Sequence, residues 1–375
     1  MSDASPILPS ALLSFGLIGA SFAISAAATW IALHYARRRD LIDLPGRRRS
    51  HVVPTPRGGG IGIVVAVLIC FCLPWRGWYL STYGLLTMLP VLMIAGVGWI
   101  DDHRSLSAKV RIVVQYIAVL IIPTVITVLI AAEHEASSLP SWTDILLVLT
   151  IATAVVWSIN LHNFMDGING LLACQAIFVF VALATLCSLQ PEFRTPLLVL
   201  AATVLGFLPF NFPRARIFMG DVGSGVLGFL IAVAVLIAVS EGANYGPMRP
   251  VALSGIIACS AFVTDATCTL ASRMLRGRRW YSAHREHLYQ WMVRAGLSHA
   301  RVVACYMAWN LCIVAPVLWL LNRVPEPGLD HGTGIFLERN ELIACAVLYA
   351  AAVALWLAGK HWCLQHVKNG GKLKV

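Results

Sequence analysis

Long apolar runs separated by short polar segments dominate the chain. Each run approaches the roughly 20 residues that a helix needs to cross the core of a bilayer. Eleven runs are predicted as transmembrane helices, at about 11–35, 59–75, 79–100, 110–132, 142–160, 168–189, 196–212, 222–240, 250–271, 302–322 and 341–359. The pattern therefore predicts an all-α polytopic bundle in which residues 1–375 form a single membrane domain.

Composition supports this prediction and excludes several other classes of protein. Hydrophobic residues make up 58% of the chain and charged residues 12%, and the mean hydropathy is +0.77. A soluble domain has about 25% charged residues, so a cytosolic enzyme, a disordered chain and a secreted disulfide scaffold are excluded. The ten cysteines lie almost entirely in the apolar runs and are expected to be buried apolar side chains.

The distribution of basic residues predicts the orientation. The net charge is +10, and 23 of the 28 Lys and Arg residues fall in one alternating set of connections and the C-terminal tail. Because cytoplasmic loops are enriched in Lys and Arg, the N-terminus is expected in the periplasm and the C-terminus in the cytoplasm. The expected cytoplasmic loops, which would carry an active site, are 36–58, 101–109, 161–167, 213–221 and 272–301.

Two adjacent acids, Asp101 and Asp102, end the third run, and Lys109 follows them. Successive helical residues diverge by about 100°, so the two carboxylates cannot point at one atom in the same way. One could face a reacting centre while the other holds a cation or a basic side chain. A charged helix end at the membrane surface would explain the same pair.

A polar repeat follows the fifth run. Asn160, Asn163, Asp166 and Asn169 recur at every third residue, which keeps them near one face of a helix or helix end. Their oxygen atoms suit Mg²⁺ and a polar substrate, although an ordinary turn between two spans is also rich in Asn and Asp. The density of the repeat favours a functional interpretation.

Asp221 lies in a glycine-rich stretch, F-M-G-D-V-G-S-G, at the start of the eighth run. It could be an N-cap, which would explain the residue fully. Alternatively, it could hold a metal beside backbone N–H groups that bind phosphate. The residues alone leave both interpretations open.

The 272–301 segment is basic and contains His284, Arg285 and His287. Such a segment beside a span commonly binds anionic lipid headgroups, and the two histidines could form half a zinc site. Arg and protonated His also match phosphate oxygens in charge and geometry, which favours a diphosphate ligand.

Two further features have ordinary explanations as well as functional ones. Asp265 lies inside the ninth run, where an acid is a candidate functional residue or a structural partner of Arg273 or a neighbouring helix. The run S-H-V-V-P-T-P-R-G-G-G at 50–60 precedes the second span, and its glycines are explained by close helix packing.

Acids and amides for Mg²⁺, basic groups for phosphate and an apolar wall for a lipid are thus expected on one face. Phosphoryl transfer between a nucleotide-linked group and a membrane-bound phosphate needs all three. A transporter or lipid flippase without chemistry is the competing class. Such proteins place their polar groups near the bilayer midplane, whereas the polar clusters here lie at span ends.

Together the motifs resemble the polyprenyl-phosphate N-acetylhexosamine-1-phosphate transferases of glycosyltransferase family 4, in particular the O-antigen-initiating undecaprenyl-phosphate branch. The resemblance runs from about Ser50 to Gln290. It rests on S-x-H-x-x-P-T-P-R-G-G-G, N-x-x-N-F-x-D-G, F-M-G-D-V-G-S and A-H-R-x-H-L-Y-Q. Eleven spans with an outer N-terminus fit that branch.

The resemblance implies a role for each candidate residue. Asp101, Asp102 and Asp166 would be catalytic, and one of the paired acids would activate the lipid phosphate or form a covalent phospho-enzyme. Asp221 and Asn163 would hold Mg²⁺, or Mn²⁺ in its place. The substrate-binding residues would be Lys109, Asn160, Asn169, His284, Arg285 and His287. Bacterial members usually have Asp where this chain has Asn169, so no metal or base role is expected there.

The implied reaction transfers HexNAc-1-phosphate from a UDP-HexNAc to undecaprenyl phosphate, releases UMP and starts the synthesis of O-antigen or another cell-envelope polysaccharide. It would take place on the cytoplasmic face of the bacterial inner membrane. The residues do not distinguish GlcNAc, FucNAc and QuiNAc. Membrane lipids and a second copy in a homodimer are further expected partners, and nucleic acid is not.

Overall fold

The computed structural model describes residues 7–46, 53–72, 82–134, 141–187, 189, 191–244, 253–278, 284–322 and 339–369. Predictions that fall on other positions, including the beginning of the 50–60 motif, part of the basic 272–301 segment and several ends of the apolar runs, lie outside the described residues.

Helices account for nearly all of the described structure. In chain order they are α1 (Ile7–Arg38), α2 (Ile61–Cys72), α3 (Thr82–His103), α4 (Ala108–His134), α5 (Trp142–Met165), α6 (Leu171–Leu186), α7 (Pro191–Asn211), α8 (Asp221–Asn244), α9 (Ser254–Ala258), α10 (Ser260–Leu275), α11 (Leu288–Arg294), α12 (His299–Trp309), α13 (Ala315–Leu321) and α14 (Arg339–Lys368). A π-helical segment, Asn310–Val314, joins α12 to α13. Two short strands, β1 (Ile42–Asp43) and β2 (Thr55–Pro56), pair antiparallel.

Each predicted apolar run coincides with a helix or with a broken helix. Among the described residues, six helical segments are long and apolar enough to cross a membrane: Leu12–Arg38, Trp142–Met165, Phe193–Asn211, Asp221–Val239, His299–Leu321 and Arg339–Lys368. Large apolar side chains such as Leu342, Val347 and Leu357 stand exposed on α14, as expected of a surface that lipid covers. The chain is an all-α integral membrane protein, as predicted. The count of eleven spans and the sides on which the termini lie stay predictions.

The predicted loops are wrong over part of their length, because helices continue into each of them, and the predicted 272–301 loop contains all of α11. α5 continues to Met165, so Asn163 lies on the helix and not in a loop at 161–167. α3 continues through Asp102 to His103. Neither stretch contains Gly or Pro before the helix ends, and polar side chains alone do not stop a helix.

The central helix is α8, around which α3, α5 and α6 pack. Seventy-two per cent of its most apolar stretch is buried, compared with 17% for α14. The ends of α3 and α5 meet the beginning of α8, because Asp102 and Asn163 both bond to Asp221. Polar residues from distant parts of the chain therefore meet at one end of the bundle.

Asp265 joins α10 to three other helices. Its side chain is buried, with 2% of the residue exposed. Five donors converge on its carboxylate: the backbone N–H groups of Leu288 (2.7 Å) and Tyr289 (3.4 Å), and the side chains of Thr269 (3.2 Å), Tyr306 (2.7 Å) and Trp356 (2.9 Å). Arg273 pairs with Glu286 instead. Asp265 therefore fixes the beginning of α11 against α10, α12 and α14.

Replacement of Asp265 by Asn is expected to lower the melting temperature of the detergent-solubilised protein. The amide N–H₂ would face groups that themselves donate, which leaves at least one buried donor without a partner, at a cost of about 1–3 kcal/mol for each. Thermal unfolding followed by thiol-reactive fluorescence measures this, since the ten cysteines include several that are buried.

Asp144→Asn is the matched control, because Asp144 belongs to an exposed capping box at the start of α5. Its melting temperature should stay close to that of the wild type. An Asp265→Asn protein that melts with the control would contradict the anchoring role.

Candidate active site

A polar pocket of about 220 Å³ opens where α3 and α5 end and α8 begins. Acids and amides dominate its lining. The lining residues are Asp43, Arg57, Asp102, Asn163, Asp166, Gly167, Ile168, Asn169, Asn211, Phe218, Gly220, Asp221, Ser224, Gln290 and His299. Five of the predicted site residues are therefore brought together: Asp102, Asn163, Asp166, Asn169 and Asp221.

Asp102 holds the N-terminus of α8. Its Oδ1 accepts a hydrogen bond from the backbone N–H of Asp221 at 3.1 Å, and its Oδ2 accepts one from that of Val222 at 3.2 Å. A carboxylate here satisfies donors that no helical carbonyl can reach and complements the helix dipole. Gly220, at φ 76°, is required in front of α8, because a Cβ there would overlap the Asp102 carboxylate.

Arg111, on α4, joins Asp101 to Asp221. Its Nη1 lies 3.1 Å from Asp101 Oδ2 and 2.6 Å from Asp221 Oδ2. Asp101 also accepts a hydrogen bond from the backbone N–H of Leu106 at 2.6 Å. Lys109, the basic partner that the sequence predicts, is exposed and does not line the pocket. Arg111, two residues further along the chain, contacts the acids instead.

Asn163 connects α5 to the beginning of α8. Its Nδ2 donates to Asp221 Oδ1 at 3.0 Å and to Ser224 Oγ at 2.9 Å. Asp166 follows as the C-cap of α5, and Asn169 lies in the turn beyond it, where its Nδ2 donates to Pro213 O at 3.3 Å. These three members of the polar repeat line the pocket.

Asn160, the fourth member of the repeat, does not line the pocket. Its Nδ2 donates to Gln115 Oε1 on α4 at 2.7 Å and to the backbone oxygen of Val156 at 2.8 Å. The structure places it in the packing between α4 and α5 and not at the candidate site.

His284, Arg285 and His287 form a basic loop before α11, and none of the three lines the pocket. The pocket lining does include Gln290 of α11, so the basic loop lies beside the pocket. The rings of the two histidines stack with their centroids 5.0 Å apart. Tyr289 fixes the loop against α5, because its hydroxyl donates to the backbone oxygen of Phe164 at 2.9 Å.

Burial favours the neutral forms of His284 and His287 in this loop. Burial, together with the nearby His287 and Arg273, lowers the pKa of His284 to about 4. Burial likewise lowers the pKa of His287. The positive charge of this loop therefore resides mainly on its arginines, and the role of the two histidines in binding phosphate stays a prediction.

Burial and the neighbouring acids raise the pKa values of Asp102 and Asp166 in the pocket. Burial and the charge of Asp221 raise the pKa of Asp102 to about 7. Burial, together with the charges of Asp221 and Asp102, raises the pKa of Asp166 well above its ordinary value. A bound cation would relieve this repulsion.

The oxygen donors of the pocket fit a hard cation. Among the residues described, no three His, Cys, Asp or Glu side chains form a complete metal site. Mg²⁺, however, usually takes one or two carboxylates and completes its shell with water and substrate phosphate. Asp221 with the amide oxygen of Asn163 could supply the protein ligands, after a rotation of the Asn163 amide.

Several pocket residues are not apparent from the sequence. Asn211 bonds the backbone N–H of Gly170 at 2.6 Å, and His299 Nδ1 lies 3.4 Å from the backbone nitrogen of Asn169. Neither residue stands in a recognisable motif. Arg57 does belong to the P-T-P-R-G-G-G motif, and that context was the available signal for it.

Comparison with known proteins matches residues 84–239 to a family model described as glycosyl transferase family 4. A decaprenyl-phosphate N-acetylglucosaminephosphotransferase of Mycobacterium leprae is 31% identical over 325 residues, which cover 80% of this chain and 81% of the relative. Undecaprenyl-phosphate α-N-acetylglucosaminyl 1-phosphate transferases of Yersinia pestis and Escherichia coli K12 are 28% and 26% identical, each over 81% of this chain and 84% of the relative.

These relatives are phosphotransferases of polyprenyl phosphates by name. The segment that matches the family model includes both paired acids, the polar repeat and Asp221. Five of these residues line the pocket: Asp102, Asn163, Asp166, Asn169 and Asp221. The identity to the mycobacterial protein extends over most of both chains. The chain therefore belongs to glycosyl transferase family 4, among the polyprenyl-phosphate N-acetylhexosamine-1-phosphate transferases.

Proposed function

We propose that this protein transfers GlcNAc-1-phosphate from UDP-GlcNAc to undecaprenyl phosphate and releases UMP. The observation that carries the proposal is the meeting of acids from α3, α5 and α8 at one polar pocket, at the end of a membrane-spanning bundle. A soluble nucleotide sugar and a lipid phosphate can meet at such an end. The named relatives act on N-acetylglucosamine, which favours GlcNAc over FucNAc and QuiNAc.

The proposed location is the bacterial inner membrane, with the pocket facing the cytoplasm. The excess of Lys and Arg in the loops that carry the site residues supports this orientation. In that position the enzyme would start the synthesis of O-antigen or another cell-envelope polysaccharide.

The proposed chemistry is direct attack by an oxygen of the lipid phosphate on the phosphorus that carries the sugar. The P–O bond to UMP breaks, and UMP leaves with the electron pair. A phosphate monoester has a second pKa near 6 and is largely dianionic at pH 7, so it needs no strong base. Asp101 is held by Arg111 and Asp102 by α8, which disfavours either carboxylate as a covalent nucleophile.

Asp221 and Asn163 are the residues proposed to hold Mg²⁺, with Mn²⁺ as a substitute. The ion would neutralise charge on the diphosphate of the donor. Asp102 contributes by fixing the first turn of α8, from which Asp221 extends. Asp166 and Asn169 face the same pocket and are proposed to contact the nucleotide-sugar.

Membranes that contain this protein are expected to convert radiolabelled UDP-GlcNAc and undecaprenyl phosphate into solvent-extractable lipid. EDTA should abolish the conversion, and added Mg²⁺ or Mn²⁺ should restore it, because the pocket acids need a cation to accept a diphosphate. UDP-FucNAc and UDP-QuiNAc in the same assay test the choice of sugar. If no UDP-HexNAc labels the lipid, the proposed reaction is wrong, and uptake into vesicles with the sugar–phosphate bond intact would favour a transporter.

Asp221→Asn is expected to lower kcat by about 100-fold or more, as is typical when a group that stabilises transition-state charge is lost. The melting temperature of the variant is measured alongside, because the amide keeps one acceptor for Asn163 but loses the ion pair with Arg111. The same substitution should weaken Mn²⁺ binding, measured by electron paramagnetic resonance on the purified protein. Wild-type turnover with wild-type Mn²⁺ affinity would remove Asp221 from the metal site.

Arg111→Gln is expected to lower activity by about 10- to 100-fold, the equivalent of one charged hydrogen bond worth about 1.5–3 kcal/mol. Lys109→Gln is the matched control and should retain activity, because Lys109 is exposed and lies outside the pocket. Initial rates in the lipid-extraction assay compare the two variants. The opposite ranking would support the original prediction from the sequence.

A further inference from the structure

Arg57 is the one Lys or Arg among the described residues that line the polar pocket. It shares that lining with four acids, Asp43, Asp102, Asp166 and Asp221. A diphosphate would be repelled by these acids unless cationic groups faced it from the pocket wall. The reaction proposed above gives Arg57 no role.

The turn that carries Arg57 is fixed to the segment that leads into α8. Three backbone hydrogen bonds join the two segments: Phe218 N–H to Pro56 O (2.8 Å), Gly59 N–H to Phe218 O (2.9 Å) and Gly60 N–H to Met219 O (2.8 Å). Gly60 packs directly against Gly223 in the first turn of α8, and a Cβ on either residue would overlap the backbone of the other. The glycines after Arg57 therefore allow the turn to approach α8 this closely.

A second set of contacts fixes the same turn from the other side. The backbone N–H of Arg57 donates to Leu41 O at 3.1 Å, and β2, which ends at Pro56, pairs with β1. The backbone of Arg57 is thus held between the strand pair and α8, so its side chain starts from a defined position at the pocket.

The guanidinium of Arg57 has hydrogen-bonding capacity left for a ligand. Its Nε is buried and has no hydrogen-bond partner among the described residues. The charge of Arg57 acts on Asp102, but no ion pair joins it to a carboxylate of the described chain. Arg111, in contrast, is already engaged by Asp101 and Asp221.

We propose that Arg57 binds phosphate oxygens in the diphosphate of the nucleotide-sugar donor. The inference rests on the proposed function and adds a substrate-binding residue to it. The planar guanidinium presents paired N–H donors that match two phosphate oxygens. The donor, and not the lipid phosphate, is the ligand because the lining around Arg57 is polar, with the amides of Asn169, Asn211 and Gln290.

The test compares Arg57→Gln and Arg57→Lys with Arg216→Gln. Arg216 is an exposed arginine that does not line the pocket. Its guanidinium carbon lies 4.7 Å from the centre of the Phe210 ring. UDP binding to the detergent-purified protein is measured by isothermal titration calorimetry, and KM is measured separately for UDP-GlcNAc and undecaprenyl phosphate.

Arg57→Gln is expected to weaken UDP binding and to raise the KM for UDP-GlcNAc by about tenfold or more, since a charged hydrogen bond is lost. The KM for undecaprenyl phosphate should stay unchanged. Arg57→Lys should fall between the wild type and Arg57→Gln, because it keeps the charge and loses the paired donors. Arg216→Gln should bind UDP as the wild type does.

If Arg57→Gln keeps the wild-type UDP affinity and the wild-type KM for UDP-GlcNAc, the inference is wrong. It is also wrong if only the KM for undecaprenyl phosphate rises, because that result would assign Arg57 to the lipid phosphate. If Arg57→Gln fails to fold, the Arg57→Lys variant tests the inference in its place. A folded Arg57→Lys protein with wild-type UDP affinity would also contradict the inference. An inactive wild-type protein would contradict the proposed function. An active wild-type protein with an unaffected Arg57→Gln variant would contradict this inference alone.

Discussion

The hydrogen bonds between the Asp102 carboxylate and the first backbone N–H groups of α8 hold the candidate site together. They bind the end of α3 to the central helix and satisfy donors that would otherwise be unpaired at a buried helix start. Asp221 is the first residue of α8, so the same contact sets where its carboxylate lies. Arg111 on α4 and Asn163 on α5 both contact the Asp221 carboxylate, so both contacts depend on that position.

The pocket is an acidic centre with Arg57 in its lining and Arg111 bonded to Asp221 behind it. Arg111 neutralises Asp101 and Asp221, whereas Arg57 approaches from the turn after β2 and acts on Asp102. Burial and the neighbouring carboxylates raise the pKa values of Asp102 and Asp166, so further positive charge at the pocket would favour their ionised forms. In the proposed reaction, a phosphate group bound together with a divalent cation would supply both positive charge for the acids and an anion for the Arg57 guanidinium.

The sequence predicts the helices well because a 20-residue apolar run in a bilayer must satisfy its backbone hydrogen bonds internally, and a helix does this. It also identifies the five motif residues that meet at the pocket, since those motifs are locally distinctive. In a helix, however, residues three positions apart differ in direction by about 60°. Asn160 therefore faces Gln115, whereas Asn163 faces Asp221. The choice of Arg111 over Lys109 depends on the rotation of α4 about its axis, and the neutrality of His284 depends on burial. No local pattern encodes either.

Asp102 and Asp265 do the same physical work in different parts of the bundle. Each is a buried acid that accepts backbone N–H groups at the start of another helix, α8 for Asp102 and α11 for Asp265. The first contact places Asp221 and the second places Gln290 and the basic loop. An acid in such a position can be essential to activity without touching a reacting atom. Loss of turnover on its substitution therefore does not identify a general base, and the assignment needs a substrate-binding or metal-binding measurement beside the rate.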